Sequence, residues 1–443
     1  MGFRRRDFMK WGLLQTAFLS LASRAKAEVE QVSKVVYRTG PSILQGATDD
    51  TMTQFSILQD VKITYEIFVT DSKGRIYLPD DIRSVNFGNH PKKISKAYFS
   101  GLFPNEVFQL KLRDLKTQQI VDTRNFQTLD MTKTSLKFAL CSCLKENYHE
   151  AEIWKNLISQ KPDVIFFVGD TVYADKGAPK DGADATHLWK RFCEARAVLE
   201  IYYSKNLIPI LATWDDHDFG LNNSNRFNYA YGKESRWNFL QFFAQEESHC
   251  RILKRGPGIS SAFQYNDQLF LLLDNRSFRD RNGSRDRYAH WGQEQEVWML
   301  DLMRKNAGPT WLMSGSQLFP SAPFKPSLSR DHVGQYTGFL RELKTTPSKV
   351  VFISGDVHFS EISVIDTTEI GYRSYELTSS SMHSNGIPGA PGIVPNKRRL
   401  MGASAGERNY IMVDATSKGL GSAFTATSYS VDGNIYFKRN LEV

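Results

Sequence analysis

The sequence predicts an α+β chain in two parts, a small β-sandwich followed by a larger unit in which strands alternate with helices. Between residues 28 and about 130, short alternating runs recur at close spacing, with turn signals between them and no helical period. From about 131, strand-like runs alternate with stretches of i, i+3, i+4 apolar spacing. Three apolar runs in this second part lead straight into clusters of Asp, His and Tyr, which is how α/β folds present chemistry at the carboxyl ends of strands.

Ahead of both parts lies a segment that is not expected to belong to the fold. Arg4-Arg5-Arg6-Asp7-Phe8-Met9-Lys10 is a basic start with a twin-arginine element, and Trp11 to Ala22 is an apolar stretch of 12 residues. Ala25-Lys26-Ala27 then reads as a small-x-small cleavage site. The apolar stretch is short of the roughly 20 residues a span needs. Residues 1–27 are therefore expected to be a signal peptide handled by the twin-arginine export machinery, which places the product in the periplasm or outside the cell. No later segment is apolar enough to span a membrane.

The leader holds six Lys or Arg and one Asp, so the remaining chain carries a net charge of +3 rather than +8. No basic run with interleaved aromatics follows, and Lys397-Arg398-Arg399 is expected to be a solvated loop, so nucleic acid is not implied as a partner. Four cysteines in a chain of 443 residues do not make a disulfide scaffold. Cys193 and Cys250 fall in expected helices, as buried thiols or as a single bridge. Cys141 and Cys143 end a strand-like run, one expected in the core and the other facing whatever lies at the strand end.

The β-sandwich is expected from runs at 55–58, 61–69, 75–78, 96–99, 107–112 and 120–126. Helices are expected over 150–160, 185–204, 233–245, 293–306 and 333–343, with strands at 262–265, 269–273, 310–313 and 350–353. The chain should close in a hairpin over 428–438, turning at Val431-Asp432-Gly433-Asn434. The Ser-, Gly- and Pro-rich tract 378–395 is expected to be a long irregular loop, with His383 at its surface or touching substrate. Trp214, Trp291, Trp298 and Trp311 are expected to fill cores.

The three acidic runs are Gly169 to Asp175 (GDTVYAD), Trp214 to Phe219 (WDDHDF) and Gly355 to His358 (GDVH). Asp170, Tyr173, Asp216, His217, Asp356 and His358 offer three carboxylates, a phenol and two imidazoles, a set able to hold two cations close together for work on phosphate esters. Each run alone is a weak signal. Three in order are hard to explain as packing, because buried carboxylates are costly unless a cation or partner neutralises them.

With Ser142-Cys143, the GDTVY run, WDDHD with Asn222-Asn223, LDNRSFR at Leu273 to Arg279 and GDVH, the chain resembles the PhoD-like alkaline phosphatase and phosphodiesterase family of the calcineurin-like metallophosphoesterases. GLFPNEVFQLKL at Gly101 to Leu112 adds to the likeness, looking like the end of the fibronectin-like domain that precedes the catalytic domain. The resemblance implies a four-layer αββα sandwich at 131–443, with a fibronectin- or Ig-like domain at 28–130. It implies Asp170 as a carboxylate bridging two metals, with Cys143, Tyr173 and His358 on the first. Asp216 and Asp356 would be on the second. Thiolate and phenolate favour Fe(III), and the oxygen-rich second position suits Ca(II) or another hard divalent ion. Asn222 or Asn223 is a candidate carbonyl donor, and Asp215 competes with Asp216 for the ligand role.

His217 stands at the general-acid position, so the implied reaction is hydrolysis of phosphodiesters or phosphomonoesters by a metal-bound hydroxide, with an alkaline optimum. Phospholipids, teichoic-type polymers and glycerophosphodiesters are the candidate substrates. Arg276 is expected to clamp phosphate, against an ion pair with Asp274 or Asp280 and with Arg279 and Arg281 competing. Asp175 and Asp218 are expected beside the ligands. Two other readings are a non-catalytic surface protein stabilised by metal, and an iron redox enzyme suggested by the thiolate and phenolate.

Overall fold

A computed structural model describes residues 37–320, 325–386 and 389–443. The expected signal peptide lies outside the described residues.

Eight strands come first: β1 (Ser42–Thr48), β2 (Thr53–Asp60), β3 (Tyr65–Thr70), β4 (Ile76–Tyr77), β5 (Asp81–Asn86), β6 (Lys92–Phe99), β7 (Val107–Asp114) and β8 (Ile120–Gln127). They form two antiparallel sheets, β1-β2-β6-β5 and β4-β3-β7-β8. Alternation sends Phe55, Ile57, Ala97 and Phe99 of one sheet and Ile67, Val69, Leu110 and Leu112 of the other into a shared core.

The larger part has two sheets. Its elements are β9 (Ser135–Cys141), α1 (Ala151–Ser159), β10 (Val164–Val168), α2 (Ala185–Val198), β11 (Ile210–Thr213), α3 (Asp216–Phe219), α4 (Gly232–Phe242), β12 (Leu253–Arg255), β13 (Ser261–Tyr265), β14 (Gln268–Leu272), α5 (Gln293–Lys305), β15 (Thr310–Met313), α6 (Val333–Thr345), β16 (Val350–Ser354), β17 (Ser360–Ile365), β18 (Ser374–Thr378), β19 (Arg399–Ala405), β20 (Asn409–Lys418), β21 (Gly421–Ser430) and β22 (Ile435–Glu442), besides three four-residue helices. The sheets run β11-β10-β9-β20-β21-β22 and β12-β13-β14-β15-β16-β18-β17-β19.

Three apolar clusters explain why the central strands read as unbroken apolar runs. In β10, Val164, Phe166 and Val168 face the second sheet, while Ile165 and Phe167 face α1, α2 and α4. In β16, Val351 and Ile353 face the first sheet, and Val350 and Phe352 meet Met299 and Met303 of α5 and Phe339 and Leu343 of α6. Strands buried on both faces need no polar alternation. Rings interlock between the sheets: Phe138 of β9 lies 5.3 Å from Phe270 and 5.1 Å from Trp311, both edge-on.

The strand pairing also aims the loops. β9, β10 and β11 are mutually parallel, as are β14, β15, β16 and β18, so their carboxyl ends open together within each sheet. Each acidic run starts at one of these ends.

Several expectations need correction. Of the two alternatives for Cys193 and Cys250, the structure has buried thiols, and the described cysteines are all free. Cys250 follows a short 3₁₀ turn, Glu247–His249, rather than lying in a helix. The tract after β18 contains a four-residue helix, Ala390–Ile393, and is not a surface loop at its start: Ser379, Ser380, Ser381 and His383 are buried. His383 packs 5.4 Å from Trp154 and 5.3 Å from His149 and donates its backbone N–H to the Cys143 carbonyl. Trp214, Trp291 and Trp311 fill cores, while Trp298 packs half-buried at a cluster edge. Among the described residues no helix is long and apolar enough to cross a membrane.

Arg196 of α2 joins the N-terminal strands to the rest. It is buried, and its five N–H groups reach Ser42 Oγ and O, Ser56 Oγ and O, and Phe242 O. A guanidinium with every donor used this way holds four elements at one point. Arg196→Met keeps the volume but leaves three buried carbonyls short of a donor. It is expected to lower unfolding free energy by about 3 kcal/mol in urea denaturation, and a change under about 0.5 kcal/mol would count against this role.

Candidate metal centre

Every ligand candidate except Asp216 follows a strand end through a left-handed backbone kink. β9 ends at Cys141 and the chain turns at Cys143 (φ 57°). β10 ends at Val168 and turns at Gly169 (φ 82°) and Asp170 (φ 52°). β16 ends at Ser354, followed by Asp356 (φ 69°) and His358 (φ 64°). Non-glycine residues resist this left-handed region, at about 1–3 kcal/mol each. Among the described residues ten non-glycines adopt it, and Cys143, Asp170, Asn223, Asp356, His358 and Ser381 gather here. The strain is concentrated where it aims side chains.

Gly169 is required for a second reason. A Cβ there would lie 2.8 Å from Asp215 Cβ and 2.9 Å from Gly315 Cα. Only a bare backbone lets β10 and β11 deliver their loops side by side.

Two groups of ligand atoms lie within 4.8 Å of one another: Cys143, Asp170 and His358, and Asp170, Asp216 and His217. Asp170 belongs to both. Tyr173 joins the first group, its hydroxyl 3.4 Å from His358 Nε2, and its ring lies 4.2 Å from that of His217, tilted by 30°. Asp356 is held by Lys325, whose Nζ lies 3.1 Å from its carbonyl and 3.4 Å from Oδ1.

Asp170 Oδ1, Asp216 Oδ1 and Asp356 Oδ2 are buried and make no hydrogen bond among the described residues. Burial first, with Cys143, Asp216 and Asp215 adding to it against the pull of His217, pushes Asp170 well above the usual carboxylate range. Burial also opposes charge on Asp216, but Arg276, His217 and the Asn223 N–H outweigh it and hold Asp216 low. Burial raises Cys143 and Tyr173. Burial, then Lys325 and His217, pushes His358 down to about 3. An anionic pocket that cannot ionise all its members is what a bound cation would relieve, and the soft sulfur, phenol, imidazole and shared carboxylate match a mixed two-cation set.

His217 differs from the ligands. Its Nδ1 lies 2.8 Å from Asp175 Oδ1. Burial opposes its charge, yet Asp170, Asp216 and Asp175 push its pKa up to about 10. Asp218 anchors the turn beneath it, accepting from Thr171 Oγ1 (2.5 Å), Val172 N (2.8 Å) and Asp215 N (3.0 Å).

Arg276 is fully buried, with Nε 2.5 Å from Asp215 Oδ1, Nη1 on the Ser224 carbonyl and Nη2 3.7 Å from Asp216. Its partner is Asp215, in place of the phosphate clamp that the resemblance implies and of the alternatives Asp274 and Asp280. Asp215 is thereby engaged, while Asp216 sits among the ligand atoms. Asn223 contributes its N–H, 2.5 Å from Asp216 Oδ2, and its side chain is exposed.

Sequence reasoning missed Ser380 and Lys325. Ser380 Oγ lies 3.1 Å from Cys143 Sγ and accepts from the His358 N–H at 2.8 Å, tying two ligand loops together. Neither residue lies in a patterned run, so nothing in the sequence marks it.

Residues 138–424 match the family model described as PhoD-like phosphatase. The chain belongs to the PhoD-like phosphatase family. Alkaline phosphatase D of Bacillus subtilis (strain 168) is 22% identical over 327 residues, covering 64% of this chain and 55% of the relative, so the chain spans about half the length of that curated relative. A solved structure described as PhoD superposes with a TM-score of 0.67 at 16% identity, over 90% of this chain and 91% of that one, which establishes a shared fold. Every ligand candidate falls inside the matched PhoD-like region.

Arg279 leads away from this centre to a buried histidine pair. Its Nη1 lies 2.9 Å from His290 Nδ1, its Nη2 3.3 Å from Asp331, and His290 Nδ1 is 3.0 Å from His332 Nδ1. Burial, then Arg279, pushes His332 down to about 3. A histidine kept neutral in the folded state contributes full stability above its unfolded pKa of about 6.5 and loses it as pH falls. Metal-stripped protein taken from about pH 7 to about pH 5 should lose roughly 2 kcal/mol through His332. Chemical denaturation should show that part of the slope removed in His332→Gln, and an unchanged slope would refute the assignment.

Proposed function

We propose that this PhoD-like protein is an exported, metal-dependent phosphoesterase acting on phosphodiesters, phosphomonoesters or both. The observation that carries the reading is Asp170, buried and shared between two groups of ligand atoms. The name of the B. subtilis relative, alkaline phosphatase D, supports the same class. In this reading residues 1–27 are a twin-arginine leader, 28–130 a fibronectin- or Ig-like domain, and 131–443 a four-layer αββα catalytic domain. The helix contacts on the outer faces of the two large sheets support the layering.

Cys143, Asp170, Tyr173 and His358 would hold one cation, with Fe(III) favoured by sulfur and phenolate, and Asp170, Asp216 and Asp356 the other, suited to Ca(II) or a similar hard ion. When bound, such a pair supplies positive charge against the phosphoryl oxygens and a water acidic enough to attack at mild pH.

The chain's own residues do the rest. Asp175 takes the Nδ1–H of His217, fixing the tautomer and leaving Nε2 to pass a proton to the departing oxygen. Arg276 acts through Asp215 and Asp216, keeping the second carboxylate ionised and in place. A redox centre needs no such oriented His–Asp pair beside a shared carboxylate, and neither does a structural metal site.

Nitrophenol release from bis- and mono-nitrophenyl phosphate by metal-loaded protein tests the reading. Chelation and Asp170→Ala should each abolish turnover. His217→Ala should lower kcat roughly 10²–10⁴-fold with metal content retained, and Asp175→Asn about 10–100-fold. No turnover of either ester by the loaded protein would overturn the hydrolase reading, and undiminished kcat in His217→Ala would remove its proton role alone.

A further inference from the structure

A cleft of about 380 Å³ opens between the turn after β5 and the first turns of α2 and α4. Asn86, Phe87 and Gly88 form one wall, with Ala185, Lys233 and Glu234 opposite. Trp237 and Asn238 complete it.

Trp237 leaves 40% of its surface in water. Its indole does not swing freely, because Trp189 lies 5.9 Å beneath it at 30° and Phe87 6.0 Å to its side. Trp189 is itself fully buried and stacked on Phe87 at 6.0 Å and 24°. A flat apolar plate braced by two rings is thus held at the surface.

Asn238 is the one buried residue lining the cleft, 1% exposed, and neither its Oδ1 nor its Nδ2 has a hydrogen-bond partner among the described residues. A buried amide with both ends unmet stands out, since native interiors pair nearly all such groups. It offers one acceptor and two donors side by side. Lys233 and Glu234 at the rim cancel in charge, so the cleft does not select an anion.

A ligand that fits has a flat C–H face for the indole, adjacent hydroxyls that both donate and accept, and no charge. We infer that the cleft is a carbohydrate subsite that takes one pyranose ring, stacked on Trp237 and hydrogen-bonded to Asn238. Binding here is separate from phosphate-ester turnover. The cleft sits behind the turn that carries Asp216 and His217: Ser235 of α4 donates to the Phe219 carbonyl at 2.6 Å, and Gly232 abuts the Phe219 ring.

Saturation-transfer NMR and tryptophan fluorescence on the full metal-loaded protein, with glucose, N-acetylglucosamine and cellotriose as probes, test this directly. Saturable binding is expected for each sugar, weakened at least tenfold by Trp237→Ala. Asn238→Leu should weaken it as well, and if that variant unfolds, the exposed Trp237→Ala still decides. Nitrophenyl ester hydrolysis by Trp237→Ala should equal that of the parent, showing an intact fold; should neither protein hydrolyse the esters, matching thermal unfolding serves as that control and the binding result stands. No transfer to any of the three sugars, binding undiminished in Trp237→Ala, or displacement of the sugars by inorganic phosphate would overturn the inference.

Discussion

The centre depends on keeping Asp170, Asp216 and Asp356 together in a place largely shielded from water. Each has one carboxylate oxygen without a hydrogen-bond partner among the described residues. Positive charge surrounds them on three sides, from Arg276, His217 and Lys325, yet it does not satisfy those oxygens. A fold can hold such a cluster only if the surrounding backbone is unable to relax away from it.

That rigidity comes from the two sheets. Their central strands are sealed on both faces, so the strand ends move little, and the left-handed kinks at Cys143, Asp170, Asp356 and His358 are imposed by packing rather than chosen by the residues. Polar clips then join the loops. Asp218 fastens the Thr171–Val172 turn to Asp215, and Ser380 fastens Cys143 to the His358 turn. Arg276 fastens Asp215 from behind.

How much of this was legible in the sequence follows from the same physics. Runs such as Val164–Val168 and Val350–Ser354 announce strands covered on both sides, and ligands placed right after them announce a site at the strand ends. The clips were not legible, because Ser380, Lys325 and the Asp215 partner of Arg276 follow no period and reach the centre only through tertiary packing. For Arg276, local acids at Asp274 and Asp280 were the visible partners, whereas the guanidinium crosses to another strand end. His383 misled for a related reason: a Ser- and Gly-rich tract reads as surface, but here its first residues plug the gap above β9 and meet Trp154. The absence of a Cys193–Cys250 bridge is likewise a matter of placement, which spacing does not encode.

Strand β9 carries Cys143 at its end and pairs on one side with β10 and on the other with β20, near the far end of the chain. The clip from Cys143 to Ser380 spans 237 positions. During synthesis, therefore, the thiol and the first carboxylate emerge long before the strand and serine that lock them in register. A fragment that ends before β20 holds the donors without the strand that sets their register, so the ligand geometry is complete only once nearly the whole PhoD-like region has been made.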